Sequence, residues 1–187
     1  MKLLGVSGST LKGGNNEKMI DFVLGIAKKR GFKTDKLFLS EYKIAPCCAC
    51  NKCKKEDSCS QKDNMEKARE KLLEADAVIV SSPVYFGSVS AQLKALFDRT
   101  IRLRRNGFAL KNKIGAAIAV GRTRNGGQEL KLQAIHAFMH IHGMIVVGDN
   151  SHFGGTVQHP FEEDGFGKKT VEDTANKVCD TLEMLKP

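Results

Sequence analysis

The sequence predicts an α/β fold, in which an open parallel sheet is covered by helices on both faces. Strand-like and helix-like segments alternate five times along the 187 residues. The strand-like segment at residues 77–80, Ala-Val-Ile-Val, is apolar throughout, as is typical of a strand buried on both faces of a parallel sheet. Because the length suits one domain and no interdomain linker is evident, we expect a single domain over residues 1–187, with a cysteine-rich loop at residues 45–60.

Short apolar runs predict the strands, and apolar residues three or four apart predict the helices. In the first helix, Met19, Ile20 and Val23 share one face, and we expect Asn15 or Asn16 to cap its N-terminus. In chain order, the predicted strands are residues 2–7, 34–39, 77–80, 113–120 and 144–147, and the predicted helices are residues 15–30, 64–74, 91–103, 128–142 and 168–186.

Two segments of the second half are unusual. The connection at residues 149–167 is longer than the usual length of about 4–6 residues, which suggests a lid or a subunit contact. The helix at residues 91–103 turns Leu93, Leu96 and Phe97 inward and is followed by a basic stretch. The arginines near its end form either a docking patch or a solvated helix end: Arg99, Arg102, Arg104 and Arg105.

The composition is that of a globular protein, with 41% hydrophobic and 27% charged residues. No apolar run approaches the roughly 20 residues that span a bilayer, and the N-terminus lacks the pattern of a signal peptide, so we expect a cytoplasmic protein without a membrane span. The net charge of +9 favours acidic partners or anionic cofactors. Nucleic acid is a poor candidate, because aromatic residues are not interleaved with the basic ones in a binding motif.

The loop after the first strand, at residues 7–16, is suited to an anion. It offers hydroxyls, glycine-freed backbone amides and the positive end of a helix dipole. Gly8 and Gly13 have the spacing of a P-loop, but Gly14-Asn15 stands where Lys-Ser/Thr would be required, so ATP or GTP hydrolysis is disfavoured. The loop therefore predicts a site for one terminal phosphate, with an ordinary Gly/Ser loop as the alternative.

Two further loops follow the third and fourth strands. Residues 82–88, Ser-Pro-Val-Tyr-Phe-Gly-Ser, could lay apolar surface and backbone amides against a planar ring, or could simply pack against a helix. Residues 121–129, Gly-Arg-Thr-Arg-Asn-Gly-Gly-Gln-Glu, allow close backbone approach at their glycines. Ligands of open α/β sheets bind beyond the carboxyl ends of the strands, where these loops are expected to meet.

Cysteines are concentrated in one short segment. Five of the six fall between residues 47 and 59, and Cys47, Cys50, Cys53 and Cys59 are spaced C-x2-C-x2-C-x5-C. Three thiolates at two-residue gaps with a fourth nearby are typical of a 4Fe-4S cluster. Zinc is the alternative, although structural zinc usually takes two separated C-x2-C pairs. Cys48 is surplus, and the sixth cysteine, Cys179, is interpreted as a buried helix residue.

The three loops together resemble those of the flavodoxin-like family of NAD(P)H-dependent FMN reductases, through the segments SPVYFGS and GGQE. The resemblance implies the strand order 2-1-3-4-5 and bound FMN. It implies that the phosphate is held by Ser7, Ser9, Thr10, Asn15 and Asn16. It also implies that the isoalloxazine ring lies on two segments, Pro83, Val84, Tyr85, Phe86, Gly87 and Ser88 in one and Asn125, Gly126 and Gly127 in the other.

The addition of the cysteine loop makes the chain resemble the iron–sulfur flavoproteins of methanogens and other anaerobes. That resemblance implies one FMN and one 4Fe-4S cluster per subunit, assembly into homodimers or homotetramers, and a ferredoxin-like acidic electron donor. The expected function is transfer of single electrons through the cluster to FMN and on to a two-electron acceptor, such as oxygen or peroxide. The alternative is an NAD(P)H-dependent FMN or quinone reductase in which the cysteine loop holds zinc or is structural.

Overall fold

The computed structural model describes residues 1–185, which form a parallel sheet between two layers of helices. The strands are β1 (Lys2–Ser7), β2 (Lys33–Phe38), β3 (Ala77–Pro83), β4 (Ile114–Gly121), β5 (Ile145–Val146) and β6 (Gly155–Gln158). The helices are α1 (Asn15–Lys29), α2 (Met65–Glu74), α3 (Ala91–Arg99), α4 (Ile101–Arg105), α5 (Gln128–Ile141) and α6 (Gly165–Met184), and a 3-10 turn at Lys52–Lys54 lies within the cysteine-rich loop. Lys186, the last residue of the predicted final helix, lies outside the described residues.

The predicted fold class and strand order are confirmed. The strands run β2-β1-β3-β4-β5, all named pairs are parallel, and β3 is the longest partner of β4, from Ala77 opposite Ile114 to Pro83 opposite Val120. Helices α1 and α6 cover one face, and α2, α3 and α5 cover the other, each over its own apolar cluster. No helix within the described residues is long and apolar enough to cross a membrane.

The last sheet position differs from the prediction, because two strands share it. β5 pairs with the start of β4, and β6 pairs with its end, from Ile118 opposite Gly155 to Gly121 opposite Gln158. The predicted long loop over residues 149–167 is therefore wrong for residues 155–158. The strand is only four residues long, so its Thr156 and Val157 are too short a strand-like pattern to recognise, and its position is fixed by pairing with β4.

Several helix boundaries also differ from the prediction, and α6 begins at Gly165 rather than at residue 168. The predicted helix at residues 91–103 is interrupted at Thr100, whose hydroxyl donates to the carbonyl of Phe97 at 2.6 Å and contacts Nε2 of His142 at 2.9 Å. Gly14 is the N-cap of α1, so Asn15 and Asn16 are its first helical residues rather than its cap. Both asparagine side chains are thereby free for longer-range contacts.

Candidate functional site

A cavity of about 480 Å3 lies at the carboxyl ends of β1, β3 and β4. This volume is within the range of small-molecule and cofactor sites. Six of its lining residues were predicted from the sequence, namely Ser9, Asn15, Asn16, Pro83, Val84 and Tyr85. Five were missed, namely Leu11, Val120, Gly121, Arg122 and His159. We call this space the strand-end cavity.

The loop between β1 and α1 is held in shape by its own hydroxyls and by Glu17. The amide of Leu11 donates to Oγ of Ser9 at 3.1 Å, and the amide of Gly13 donates to Oε2 of Glu17 at 2.7 Å. The other oxygen of Glu17 accepts a hydrogen bond from Ser40. Glu17 lies in the first turn of α1, where a carboxylate can accept from the backbone amides that precede the helix.

Asn15 and Asn16 connect this loop to distant parts of the chain. Oδ1 of Asn16 accepts from the Ser81 hydroxyl at 2.6 Å, which joins α1 to β3. Oδ1 of Asn15 accepts from the amide of Phe161 at 3.0 Å, and its Nδ2 is 2.6 Å from Nδ1 of His159. His159 reaches the cavity through this contact, although it is 144 residues away in sequence.

The start of α1 has backbone amides that are available to bind an anion. Within residues 1–185, the backbone amides of Asn15 and Asn16 have no hydrogen-bond acceptor, as expected for the first turn of a helix. The exposed Arg122 lines the same cavity. Free amides, the positive end of the helix and a guanidinium together suit a phosphate group.

Ser7 and Thr10, two further predicted phosphate residues, lie outside the cavity lining. Ser7 is fully buried and its Oγ accepts from the amide of Ser9 at 3.4 Å, so it supports the loop from below. Thr10 is exposed on the outside of the loop. The structure therefore brings three of the five predicted phosphate residues, Ser9, Asn15 and Asn16, to the cavity.

The segment after β3 ends in a tight turn. Tyr85 and Ser88 exchange two backbone hydrogen bonds of 3.0 Å, and the residues between them, Phe86 and Gly87, have φ angles of 49° and 72°. Two central residues with positive φ make a type I′ turn, in which an Asn-Gly pair is preferred. Phe86 is therefore held in a strained conformation, and its ring is fully exposed beside the cavity.

The segment after β4 contacts this turn. A Cβ placed on Gly127 would be 3.4 Å from Cα of Gly87, so the two predicted ring-binding segments pack backbone to backbone. Gly127 has a φ of 95° and is the N-cap of α5. Asn125 and Gly126 are exposed next to it, and none of the three residues lines the cavity itself.

Lys131, which was not predicted as a site residue, supports both segments from α5. Its side chain is fully buried, and its Nζ donates to the carbonyl of Ile118 at 2.7 Å and to the carbonyl of Ser82. Burial lowers the pKa of Lys131 well below that of an ordinary lysine. These two hydrogen bonds tie β3 to β4 just before their loops begin.

The cysteine-rich loop forms a second cavity, of about 320 Å3, against α3 and α4. We call it the cysteine cavity. All five cysteines of the segment line it: Cys47, Cys48, Cys50, Cys53 and Cys59. None of the five forms a disulfide. Cys179, in contrast, is fully buried in α6, as predicted.

Arginines of α3 and α4 hold this loop in place. Arg99 donates to Asp63, with Nη2 3.1 Å from Oδ1, and to the carbonyl of Ala45 at 3.0 Å. Arg102 donates to Asp57 and Glu66 at 2.5 Å. Arg99 and Arg102 are only 4% and 9% exposed, so neither of the two predicted interpretations, a docking patch or a solvated helix end, describes them.

Three cysteine sulfurs have polar side-chain neighbours within hydrogen-bonding distance. Nη1 of Arg105 is 2.8 Å from Sγ of Cys53, and Nη2 of Arg99 is 3.4 Å from Sγ of Cys59. Oγ of Ser60 is 3.0 Å from Sγ of Cys50. Hydrogen bonds from Ser60 and from the backbone amide of Lys52 lower the pKa of Cys50 to about 7. Because the thiolate is the form that ligates metals, the donor set suits a soft metal or an iron–sulfur cluster.

The two cavities are separate within the chain. No residue lines both of them. The strand-end cavity belongs to the loops after β1, β3 and β4, whereas the cysteine cavity belongs to the connection between β2 and α2. A groove lined by Ser88, Phe97 and Ile101 lies between the turn after β3 and the cysteine cavity, with which it shares Asp98 and Ile101.

Comparison with solved structures supports the fold assignment. The apo form of an NADH:FMN oxidoreductase aligns with a TM-score of 0.74 and 19% identity, over 96% of this chain and 89% of that one. A flavodoxin, a WrbA-like protein from Agrobacterium tumefaciens, aligns with a TM-score of 0.71 and 18% identity over 99% of both chains. At these identities the likeness establishes the flavodoxin-like fold alone.

Comparison of sequences establishes the family. The model of the NADPH-dependent FMN reductase family matches residues 1–158. An iron–sulfur flavoprotein of Methanosarcina thermophila is 56% identical over 100% of this chain and 97% of its own. An iron–sulfur flavoprotein of Methanocaldococcus jannaschii is 42% identical over 100% of both chains. The chain therefore belongs to the NADPH-dependent FMN reductase family and, within it, to the iron–sulfur flavoproteins, and it is an FMN-dependent oxidoreductase.

Proposed function

We propose that the protein receives single electrons from a ferredoxin-like acidic donor at a 4Fe-4S cluster and delivers them through FMN to a two-electron acceptor, such as oxygen or peroxide. The observation that carries the proposal is the cysteine cavity, in which five thiols of one short loop face a common space. It accompanies a separate cavity at the strand ends, where ligands of this fold class bind.

The proposed cluster ligands are Cys47, Cys50, Cys53 and Cys59. All four line one cavity of about 320 Å3, which has room for a cluster whose thiolates each bind a different iron. Zinc is the less natural occupant, because structural zinc usually takes two separated C-x2-C pairs.

The strand-end cavity is the proposed FMN site. Ser9, Asn15 and Asn16 would hold the phosphate at the start of α1, with Ser7 and Thr10 shaping the loop. The ring would lie against residues 83–88, with residues 125–127 contacting that turn from behind. Arg122 and His159 are added to the predicted set, because both line the cavity.

The cofactors supply the redox chemistry, since a cluster exchanges one electron at a time and FMN exchanges one or two. The protein's own contribution is position and charge. Exposed lysines around the cysteine loop outnumber its exposed acids, Glu56 and Asp57, and would attract an acidic donor: Lys43, Lys52, Lys54, Lys55 and Lys62.

Assembly into a homodimer or homotetramer is part of the proposal. Tyr85, Phe86 and Leu130 are 55%, 109% and 60% exposed around the ring-binding turn, which leaves apolar surface at the edge of the strand-end cavity. A second subunit that covered this surface would shield the flavin and could bring its own cysteine cavity near. Light scattering during size exclusion, on wild-type protein and on Leu130→Lys, tests this arrangement.

Substitution of single cysteines tests the ligand assignment. Cys50→Ala should lose iron and acid-labile sulfide but keep FMN, because its cavity is separate from the strand-end cavity. Cys48→Ala is the matched control, since Cys48 lines the same cavity but falls outside the C-x2-C-x2-C-x5-C spacing. Stoichiometric iron in Cys50→Ala would contradict the assignment of Cys50 as a ligand. Loss of iron in Cys48→Ala alone would show that Cys48 is a ligand in its place.

The second candidate function is an NAD(P)H-dependent FMN or quinone reductase in which the cysteine loop binds zinc or is structural. It is favoured by the match of residues 1–158 to the NADPH-dependent FMN reductase family. Anaerobic mixing with NADPH distinguishes the two functions. Rapid bleaching of the flavin by NADPH alone supports the reductase, whereas bleaching that requires a reduced ferredoxin supports electron transfer through the cysteine loop.

A further inference from the structure

The contacts of Arg105 with the cysteine cavity have no part in the function described so far. Arg105 is the last residue of α4, and its Nη1 lies 2.8 Å from Sγ of Cys53, one of the four proposed ligands. Its side chain is exposed and has no ion pair with a carboxylate within the described residues. A guanidinium N–H aimed at a ligand sulfur is therefore its principal contact.

Arg99 makes the corresponding contact from α3. Its Nη2 lies 3.4 Å from Sγ of Cys59 and 3.1 Å from Oδ1 of Asp63, and its Nη1 also donates to Asp63. Two of the four proposed ligand sulfurs thus face a permanently charged donor. Arg99 is 4% exposed and anchors the cysteine-rich loop through the carbonyl of Ala45. Within the part of the chain that the structure describes, Arg105 makes no such contact with the backbone of the loop.

We propose that Arg105, assisted by Arg99, raises the reduction potential of the cluster by donating hydrogen bonds to its ligand sulfurs. This rests on the proposed function, because it requires a cluster in the cysteine cavity. An N–H donated to a thiolate withdraws electron density from the sulfur and stabilises the form of the cluster with one more electron. Hydrogen bonds to the sulfurs and local net charge are established determinants of cluster potential.

The direction of this effect serves the transfer of electrons into the protein. A higher potential makes reduction by an external one-electron donor more favourable. Arg105 is thus a positioning and tuning residue that acts through Cys53, at the face where the exposed lysines would receive an acidic donor.

The neighbouring Arg104 provides a matched control. It carries the same charge on the same helix, but its guanidinium lies over the ring of Phe108, with Cζ 5.1 Å from the ring centroid. It lines the groove beside α5 rather than the cysteine cavity. Arg104→Gln removes one positive charge without removing a hydrogen bond to sulfur.

The test is an anaerobic redox titration of the cluster, followed by electron paramagnetic resonance, in wild-type protein, Arg105→Gln, Arg105→Lys and Arg104→Gln. Iron and sulfide per chain are measured first. We expect Arg105→Gln to lower the equilibrium constant for reduction of the cluster about tenfold. For a one-electron couple this lowers the reduction potential by about 59 mV. Arg104→Gln should shift the potential much less, and Arg105→Lys, which keeps a charge and an N–H donor, should lie between.

Equal potentials in Arg105→Gln and Arg104→Gln, both with full iron content, would overturn the inference and leave the proposed function intact. Absence of iron and sulfide from the wild-type protein would instead overturn the proposed function itself. If Arg105→Gln does not retain its iron, the inference is tested on Arg105→Lys instead. A cluster potential in Arg105→Lys below that of wild type supports the inference, and a potential equal to that of wild type contradicts it.

Discussion

Arg99 and Asp63 form a buried ion pair, with Nη2 of Arg99 3.1 Å from Oδ1 of Asp63. The pair joins the end of α3 to the end of the cysteine-rich loop. Asp63 also accepts the amides of Ala45 at 2.9 Å and Met65 at 3.0 Å, so one carboxylate fixes the loop at both of its ends. The shape of the cysteine cavity therefore depends on this contact.

Asp63→Asn should destabilise the protein and release iron while FMN remains bound. Removing one partner of a buried pair leaves the other charge uncompensated, at a cost of about 3 kcal/mol. Lys94→Gln is the control, because Lys94 and Asp98 form an exposed pair on the same helix, which contributes less than about 1 kcal/mol. Chemical denaturation and iron analysis give the result, and equal stability of the two variants would contradict the account.

The ion pair of Arg99 and Asp63 also predicts that the stability of the fold depends on pH in the acid range. Burial raises the pKa of Asp63, but hydrogen bonds from Arg99, Ala45 and Met65 outweigh this and lower it below the ordinary aspartate value. The stabilisation is therefore present above the unfolded pKa of about 3.9 and is lost as pH falls through the folded value. The difference in unfolding free energy between wild type and Asp63→Asn should shrink below pH 4. A constant difference down to pH 2 would contradict this.

Lys131→Met should weaken FMN binding about tenfold, because the ends of β3 and β4 lose the bond that ties them together. The pKa of Lys131 is lowered by burial, so the unfolded chain binds this proton more tightly than the folded one. Wild-type protein should thus gain stability relative to Lys131→Met as pH rises from 7 towards 10. Parallel stability curves would show that Lys131 is charged in the folded protein.

Phe86→Asn should stabilise the apoprotein by about 1 kcal/mol, because asparagine tolerates the positive φ that strains Phe86. FMN affinity should fall, since the exposed ring lies in the proposed flavin-binding turn. Phe108→Asn is the control, because Phe108 also has a positive φ, of 52°, but lies after α4, outside the proposed flavin-binding turn at residues 83–88. Melting temperature and fluorescence titration with FMN separate the two effects. Unchanged FMN affinity in Phe86→Asn would exclude a role for the ring.

His142 should make the fold sensitive to mild acid. Burial, with a smaller contribution from the charge of Arg104, lowers its pKa to about 4. The unfolded histidine, with a pKa near 6.5, binds the proton more tightly, so about 3 kcal/mol of stability should be lost as pH falls from 6.5 to 4. His142→Gln, which can keep the contact with Thr100, should flatten this part of the profile. An unchanged slope would contradict the assignment.

Reduction by an acidic one-electron donor should slow as ionic strength rises, because the exposed lysines of the cysteine loop attract it. Stopped-flow mixing with reduced ferredoxin at several salt concentrations measures this. Charge reversal at Lys54 and Lys55 should lower the rate at low salt, and reversal at Lys177 on α6 serves as the control. A rate that is independent of salt would remove electrostatic steering from the account.

Local patterns in the sequence were sufficient for five of the six strands and for the loops that meet at the edge of the sheet. The apolar run at residues 77–80 and the glycines at residues 126 and 127 act through the backbone, which sequence patterns report well. The strand β6 was missed because it is only four residues long and its position is fixed by pairing with β4.

The residues that hold the two cavities in shape could not be predicted from local sequence patterns. Lys131 lies on a helix where its sequence neighbours give no sign of burial, and His159 is held at its cavity by contacts with Asn15 and with the carbonyl of Gly121. Arg99 and Arg105 looked like part of one basic stretch, yet one is buried and both point at sulfurs. Such roles depend on tertiary contacts between residues far apart in the chain.

The most direct test of the central claim is the content of iron, acid-labile sulfide and zinc in anaerobically purified protein. The account predicts about four irons and four sulfides per chain, together with one FMN. Zinc near one per chain without sulfide would contradict it, and the protein would then be a flavin reductase with a structural metal in its cysteine loop.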